Sequence, residues 1–398
     1  MPIPSRTVRA VNDLTNRWAR AAVAPGRNTV FSAPSAWVPL AFLTAGAAGP
    51  AADELASALG VRPDRAAEAG RELIALLDGL RGVGTALGVW TRAGLPVEPR
   101  WSAALPPRSH RLLDRDVEKC RSELDSWAAE RTAGAIRRMP AAVDEDTELL
   151  LAGALTLRTD WIRPFESGTC QGETGPWRDL LIPWLSRTTG LLDRIGVADT
   201  EAGPLTVLHV LGLDGIDVHL CLGAEGADPA AVLAAAVRTV ERPRTLRPGS
   251  TLGDGEPGPG LSAEWRRSHL RGPELAVKTV EFDLSAEHDL LSVPELFGLG
   301  AATDRARGHF PGVSSQPLAI GAAAQSAAAE FGPEGFRASA LTAIEAAGAG
   351  GGPTRRPPYR VRWIEARFDR PFAFLAVHRS SRLVLAAGWV VEPRTVEE

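Results

Sequence analysis

Apolar residues recur at Val8, Val11, Leu14, Trp18 and Ala21, three to four positions apart with polar residues between them. That spacing predicts an amphipathic helix over 6–24. Asn28 to Ser32 is short and β-prone, and Pro34 and Ser35 then open a second helix running to Ala45. Gly46 and Gly49 stop it, Ala51 to Leu59 reads as a third helix closed by Gly60, and 62–82 as a fourth. The run 84–92 has the pattern of a buried strand. In 122–137, Leu124, Trp127, Ala128, Thr132 and Ile136 mark another helix face.

From residue 149 the period changes from helical to short β-prone runs, at 149–158, 205–211, 216–222, 275–283, 362–368, 372–378 and 382–391. The last three are closely spaced, as an antiparallel meander would be. Gly and Pro gather at 247–260 and at 346–358, which predicts two exposed loops. No fixed-period repeat is visible. Helices lead and strands follow, so the expected class is α+β in one large domain over 1–398.

Composition narrows the functions open to such a chain. Its 398 residues are 44% hydrophobic with a net charge of −4, which excludes global disorder and gives no electrostatic reason to expect nucleic acid or an anionic membrane. No run approaches the roughly 18 apolar residues of a membrane span. The basic residues are nearly all Arg, with Lys only at Lys119 and Lys278, a bias expected of a GC-rich bacterial genome. Cys120, Cys170 and Cys221 are far apart and odd in number, so neither a zinc site nor a disulfide framework is encoded, and no metal or cofactor is expected. The start of the chain has no signal-peptide pattern, which points to the cytoplasm, with an extracellular setting as the alternative.

Catalytic motifs are absent. Gly253, Gly255 and Gly258 satisfy GxGxxG, but Pro257 and Pro259 forbid the helix that dinucleotide binding needs. His209 and His219 lie at alternating positions on expected strands and read as structural. His288 and Asp289 could form an acid–base pair, yet no nucleophile stands out to complete a triad. The stretch from Glu330 to Arg362 is different. Small residues run through Ala346 to Gly352, then come Pro353, Arg355, Arg356, Pro357 and Pro358, and the chain returns into core-like strands. A long exposed loop inside one domain is more often functional than accidental.

Five ordered segments then resemble the serpin family. They are 28–60, with Ser32 and Ser35 at a helix start and a GA-x-G turn at Gly46, Ala47 and Gly49; 124–140; 149–165, with Trp161 and Pro164–Phe165; 295–314; and 369–393. The resemblance implies a serpin fold: N-terminal helices followed by large mixed and antiparallel sheets, with an exposed reactive-centre loop at about 336–362. It implies a suicide substrate for a serine protease, a monomeric bait rather than an enzyme.

In that family a cleaved loop inserts into the main sheet, beginning at a hinge. Here Glu334, Gly335, Phe336, Arg337, Ala338, Ser339, Ala340, Leu341 and Thr342 fit the hinge. The family's usual count from Gly335 puts the scissile bond at Ala349–Gly350, suited to an elastase-like or subtilisin-like protease. Arg355 is the rival, suited to a trypsin-like one, and Arg356 is poorer because Pro357 follows it. The expected sheet-opening region contains Ser32, Ser35, Gly153 and Gln325, with Gly153 and Gln325 standing where the family usually has Asn and His. Phe336 is larger than the family's usual residue and would slow the first step of insertion. Pro333 replaces a hinge glutamate and would remove a ladder donor. These departures keep a second function open, a non-inhibitory serpin-fold binding protein or cleavable substrate.

Overall fold

The computed structural model describes residues 5–24, 26–132, 134, 136–139, 141, 143–172, 175–337 and 358–395. The α-helices among the described residues are α1 (Arg6–Ala22), α2 (Ala33–Thr44), α3 (Gly49–Leu59), α4 (Pro63–Asp78), α5 (Pro99–Ala104), α6 (Val117–Arg131), α7 (Pro229–Glu241) and α8 (Pro294–Phe297). The strands of the first half are β1 (Thr29–Phe31), β2 (Val83–Arg92), β3 (His110–Leu113), β4 (Leu149–Asp160), β5 (Glu166–Gln171), β6 (Leu181–Thr189), β7 (Ile195–Thr200), β8 (Gly203–Val210) and β9 (Ile216–Leu222). Those of the second half are β10 (Leu246–Pro248), β11 (Leu261–Ser268), β12 (Glu274–Val280), β13 (Phe282–Asp289), β14 (Ile320–Phe331), β15 (Gly335–Arg337), β16 (Tyr359–Arg367), β17 (Phe372–His378) and β18 (Val384–Val390).

The described strands form three sheets. One runs β1-β18-β17-β9-β8-β7-β10, a second β11-β16-β12-β6-β5, and the third β13-β14-β15-β4-β2-β3. The third, the central sheet, has two apolar faces. Its inner face, with Leu149, Leu151, Leu155, Leu157, Phe331 and Phe336, joins α2 and the seven-stranded sheet in the main core. Its outer face, with Trp90, Leu150, Ala152, Ala154, Ala322 and Ala324, is covered by Leu124, Trp127 and Ala128 of α6. Burial on both faces makes β4 a near-continuous apolar run rather than an alternating one.

The N-terminal helices follow their signals. Ser5 caps α1 by accepting from the Val8 amide, and Gly60 ends α3 in the left-handed conformation with φ +64°. Helix α6 starts at Val117, ahead of the 122–137 expectation, because Asp116 caps it, accepting from the amides of Glu118 and Lys119. The expected terminal meander is corrected. Only β17 and β18 pair as a hairpin, whereas β16 lies in the five-stranded sheet, parallel to β12 and antiparallel to β11. The Gly253–Gly258 loop leads into strand β11, so no helix offers its N-terminus to a phosphate. His288 and Asp289 do not pair: His288 Nε2 lies 2.9 Å from the Val30 carbonyl, while Asp289 accepts from the Leu291 amide.

His209 and His219 face each other across β8 and β9, with ring centroids 4.4 Å apart and nearly parallel planes. Ala236, Thr239 and Val240 of α7 close over them, together with Arg382. Burial pushes His209 down to about 4, opposed by Asp217 and assisted by Arg382 and Arg194, and it pushes His219 down as well, helped by His209 and Arg382. The Asp217 carboxylate is itself held by Arg379. Both imidazoles are therefore neutral in the folded chain, and the unfolded chain binds more protons once the pH falls below about 6.5. Stability contributed by His209 is complete above that pH and declines by about 3 kcal/mol as the pH drops from about 6.5 to about 4. Melting curves across this window should show the decline, and His209→Asn should flatten it. An unchanged slope would assign acid sensitivity to other groups.

Candidate functional site at the opening of the central sheet

Strands β4 and β14 are neighbours in the lower half of the central sheet and separated in the upper half. Below, they pair in parallel from Ile320 with Leu149 to Ser326 with Ala154. Above, β15 lies between them, with Phe336 opposite Phe331 of β14 and Thr159 of β4. Between these zipped ends, the inner edges of Ala327–Ala329 and Leu155–Leu157 have no strand partner among the described residues. Their other edges are paired, to β13 and β2 respectively. The site is thus an antiparallel slot in a sheet, already started at its upper end by the three residues of β15.

A tight turn, Gly332–Pro333–Glu334–Gly335, feeds that start. The Gly332 amide donates to the Gly335 carbonyl at 3.0 Å. Trp161 holds the turn twice, its backbone amide donating to the Glu334 carbonyl at 2.8 Å and its indole Nε1 to the Gly332 carbonyl at 2.9 Å. The Phe165 amide donates to the Pro333 carbonyl at 2.8 Å. Rings reinforce the same place: Phe331 sits 5.0 Å from Trp161, 5.8 Å from Phe165 and 5.2 Å from Phe282, centroid to centroid. The Arg187 guanidinium lies over Phe165 at 4.3 Å, and burial lowers its pKa to about 10, with Arg163 and Arg194 adding to the shift.

This geometry changes the meaning of two hinge departures. Pro333 occupies the turn and not the ladder, so its missing N–H removes no strand hydrogen bond. Phe336 is already seated in the intact chain: it is 1% exposed, and its ring lies 5.9 Å from Phe374. Its burial is therefore complete in the intact chain. Gly335 is required by close approach, because a Cβ there would come within 2.5 Å of the Thr159 carbonyl oxygen. Glu334 is at the surface end of the turn, and Arg337 ends β15. Ala338, Ser339, Ala340, Leu341 and Thr342 lie outside the described residues, as do Ala349, Gly350, Arg355 and Arg356.

Of the four residues expected at the opening, Gly153, Gln325 and Ser35 meet at the lower zipped segment, while Ser32 bonds to β18. Gly153 and Gln325 are partners across β4 and β14. A Cβ on Gly153 would come within 1.9 Å of the Ser35 carbonyl oxygen, so only glycine lets α2 pack this closely beneath the sheet. The Ser35 hydroxyl donates to the Ser32 carbonyl at 2.9 Å, and Ser32 donates to the Leu385 carbonyl at 2.8 Å. The serines tie α2 to β18 and make no bond to Gly153 or Gln325. Gln325 is fully buried and donates from Nε2 to the Ser326 carbonyl, while its Oε1 has no hydrogen-bond partner among the described residues. An unsatisfied buried carbonyl costs on the order of 1–3 kcal/mol, so the junction carries a local weakness where the strands meet.

Two features are not legible from residue patterns. Strand β14, IGAAAQSAAAEF, has little β-propensity, and it is a strand because small side chains fit between α6 and the inner core. The docking role of Trp161 and Phe165 needs a contact between residues about 170 positions apart in sequence. The W-x-x-P-F string is the available signal.

An α+β protein whose central sheet holds a started slot between two parallel strands belongs to a narrow structural class. A family model described as serpin (serine protease inhibitor) matches residues 9–174 and 260–393. The chain belongs to the serpin family, a family of protease inhibitors rather than catalysts. Among relatives, rice (Oryza sativa subsp. japonica) serpin-Z8 is 35% identical over 164 residues, covering 37% of this chain and 39% of that protein. Serpin-Z2B from the same plant is 26% identical over 405 residues, covering 93% of each chain. Serpin B6 of Macaca fascicularis is 25% identical over 290 residues, 70% of this chain and 66% of that one. Solved structures share the fold: human thyroxine-binding globulin complexed with thyroxine at TM-score 0.73, 18% identity and 98% coverage of both chains, and Serpin48 of the insect Tenebrio molitor at 0.69, 17% and 98% of both chains.

Gly153→Ala should overpack the α2 contact, costing about 1–3 kcal/mol and lowering the melting temperature of the intact chain by several degrees. Unchanged melting would show that α2 can shift freely.

Proposed function

We propose that this chain is a suicide-substrate inhibitor of a serine protease, acting as a monomer. The observation that carries the reading is strand β15, which already occupies the top of the slot in the antiparallel register that further insertion would continue. The protease serine attacks the carbonyl carbon of the bait residue, and the peptide bond breaks. The nitrogen of the next residue takes a proton and leaves as a new N-terminus, while the acyl group remains as an ester on the protease. The freed loop then enters the slot as a strand, dragging the acyl-enzyme and distorting the geometry that deacylation needs. On the order of ten new ladder hydrogen bonds, each net about 0.5–1.5 kcal/mol, favour insertion. Ala349–Gly350 is the proposed bond, addressed to an elastase-like or subtilisin-like protease, with Arg355 and a trypsin-like protease second. The Arg-, Ala- and Gly-rich composition supports a bacterial origin.

The register gives the reading a finer consequence. Residues facing the inner core after insertion share the parity of Phe336, which selects Ala338, Ala340, Thr342 and Ile344. Counting from Arg337, opposite Arg158 and Glu330, Thr342 falls between Gly153 and Gln325. Gly153 offers no side chain there, and the unpartnered Gln325 Oε1 is an acceptor for the threonine hydroxyl. Insertion would thus remove the weakness of the closed junction.

Incubation with subtilisin, an elastase and trypsin tests the function. A protease–inhibitor band that survives boiling in detergent is expected, with the released peptide's mass locating the bond. Clean cleavage without that band would overturn inhibition and favour the non-inhibitory reading. Because Phe336 is already seated, Phe336→Thr should not lower the number of inhibitor molecules consumed per protease trapped; a clear fall would restore Phe336 as the slow step. Thr342→Val should leave intact melting unchanged and reduce the melting gain on cleavage, by about 1 kcal/mol of hydrogen bonding. An undiminished gain would contradict the placement of Thr342.

A further inference from the structure

A groove of about 820 Å³ lies beside β13 and β14 of the central sheet, between the approach to β1 and the segment that follows α6. Three arginines line it, Arg27 from the approach to β1 and Arg137 and Arg138 from the segment after α6. All three are exposed, and none of their guanidinium groups has an acceptor among the described residues. The pair after α6 is anchored from both sides. Ile136 and Met139 are buried against the outer face of the sheet, the Ile136 amide donating to the Thr132 hydroxyl and the Met139 amide to the Asp125 carboxylate, each at 2.9 Å. Glu287 is the opposing charge in the lining. His288 adds none: burial lowers its pKa, against the pull of its bond to the Val30 carbonyl. Three guanidinium groups against one carboxylate make the groove cationic. The chain's net charge of −4 gives no general attraction for anions, so the groove is a local departure from it.

We propose that this groove binds a small molecule bearing two or more phosphate groups, held by Arg27, Arg137 and Arg138. A lone carboxylate would leave most of the positive charge unmatched, whereas each phosphate brings more charge and several acceptor oxygens that suit the guanidinium fork. The volume is that of an ordinary small-molecule site, so room remains beyond the phosphates. Small side chains, Ala286, Ala327 and Ala328, leave space there for a flat ring, and Thr29 and Ser285 add hydroxyls. Once occupied, the groove ties the segment after α6 to β13 and to the approach to β1, and so stabilises the closed arrangement. Ala327 and Ala328 also border the stretch of β14 that has no partner on its slot side. The bound molecule therefore holds the outer cover over strands that the proposed insertion would part. This last consequence rests on the proposed inhibition; the binding does not.

ATP in magnesium-free buffer is the probe, titrated into the full-length chain by calorimetry beside inorganic triphosphate and adenosine. ATP and triphosphate should bind at sub-millimolar concentration and raise the melting temperature, while adenosine should do neither. Tighter binding of ATP than of triphosphate would identify a nucleotide as the source, and equal binding a free polyphosphate; either supports the phosphate chemistry. Arg27→Gln, Arg137→Gln and Arg138→Gln, all at exposed positions, should each weaken ATP about tenfold while leaving the ligand-free melting temperature unchanged. Arg244→Gln, at an exposed position outside the groove, should leave the affinity as it is. Glu287→Gln should tighten binding, and Ser285→Trp, on an exposed strand position, should abolish it by filling the groove. No binding of ATP or triphosphate, or an equal loss in Arg244→Gln, would overturn the proposal. With ATP bound, more inhibitor molecules should be consumed per protease trapped. An unchanged ratio would overturn the link to insertion, whereas intact ATP binding in a chain that traps no protease would overturn the proposed inhibition alone.

Discussion

The slot in the central sheet depends on the grip of Trp161 on the turn Gly332–Gly335. The indole and backbone donors of one residue fix two carbonyls of that turn, and the Phe331 ring packs against the same indole. With the turn fixed, β15 can only enter between β4 and β14. The central sheet is consequently held apart at its top and zipped together at its bottom. The slot between is defined by covalent continuity on one side and by hydrogen bonding on the other.

The opposing constraint is the lower zipper. Six residue pairs join β4 to β14 there, α6 covers them outside, and α2 supports them inside through the Gly153–Ser35 contact. The zipper is strong in packing and weak in polar satisfaction, since Gln325 carries an oxygen with no partner among the described residues. Packing holds the junction closed while an unsatisfied group is left at the position where the proposed insertion would part the strands. A third ladder would satisfy the inner edges of both strands, which is the gain the proposed insertion would draw on. In the proposed reading, the packing of α2 and α6 against the sheet is what opposes insertion.

Much of this is legible in the sequence, for identifiable reasons. The helices α1 to α4 are legible because each buries apolar residues and begins or ends at a capping serine, a glycine or a proline. Strand β4 shows itself as a long apolar run. Strand β14 does not, because an alanine-rich segment has no local preference for extended backbone and is extended only by its neighbours. The place of β16 is hidden for a related reason: sequence adjacency to β17 suggests a meander, whereas the strand pairs with β11 and β12. At the site, Gly153 and Gln325 stand out as residues of interest. Their actual surroundings, a carbonyl under the glycine and an orphaned amide oxygen, are properties of three-dimensional contact. The size of Phe336 suggests an obstacle, and only the seat beside Phe374 shows that the obstacle is already behind the hinge.

The central claim is that the inner edges of the slot are waiting for a strand. Amide hydrogen exchange of Ala327–Ala329 and Leu155–Leu157, followed in the intact chain and after cleavage within the 338–357 segment, tests it directly. The account predicts strong new protection at those amides whose N–H groups point into the slot, together with a large rise in melting temperature. Unchanged exchange after complete cleavage would mean that the sheet does not accept the loop, and the account would be wrong.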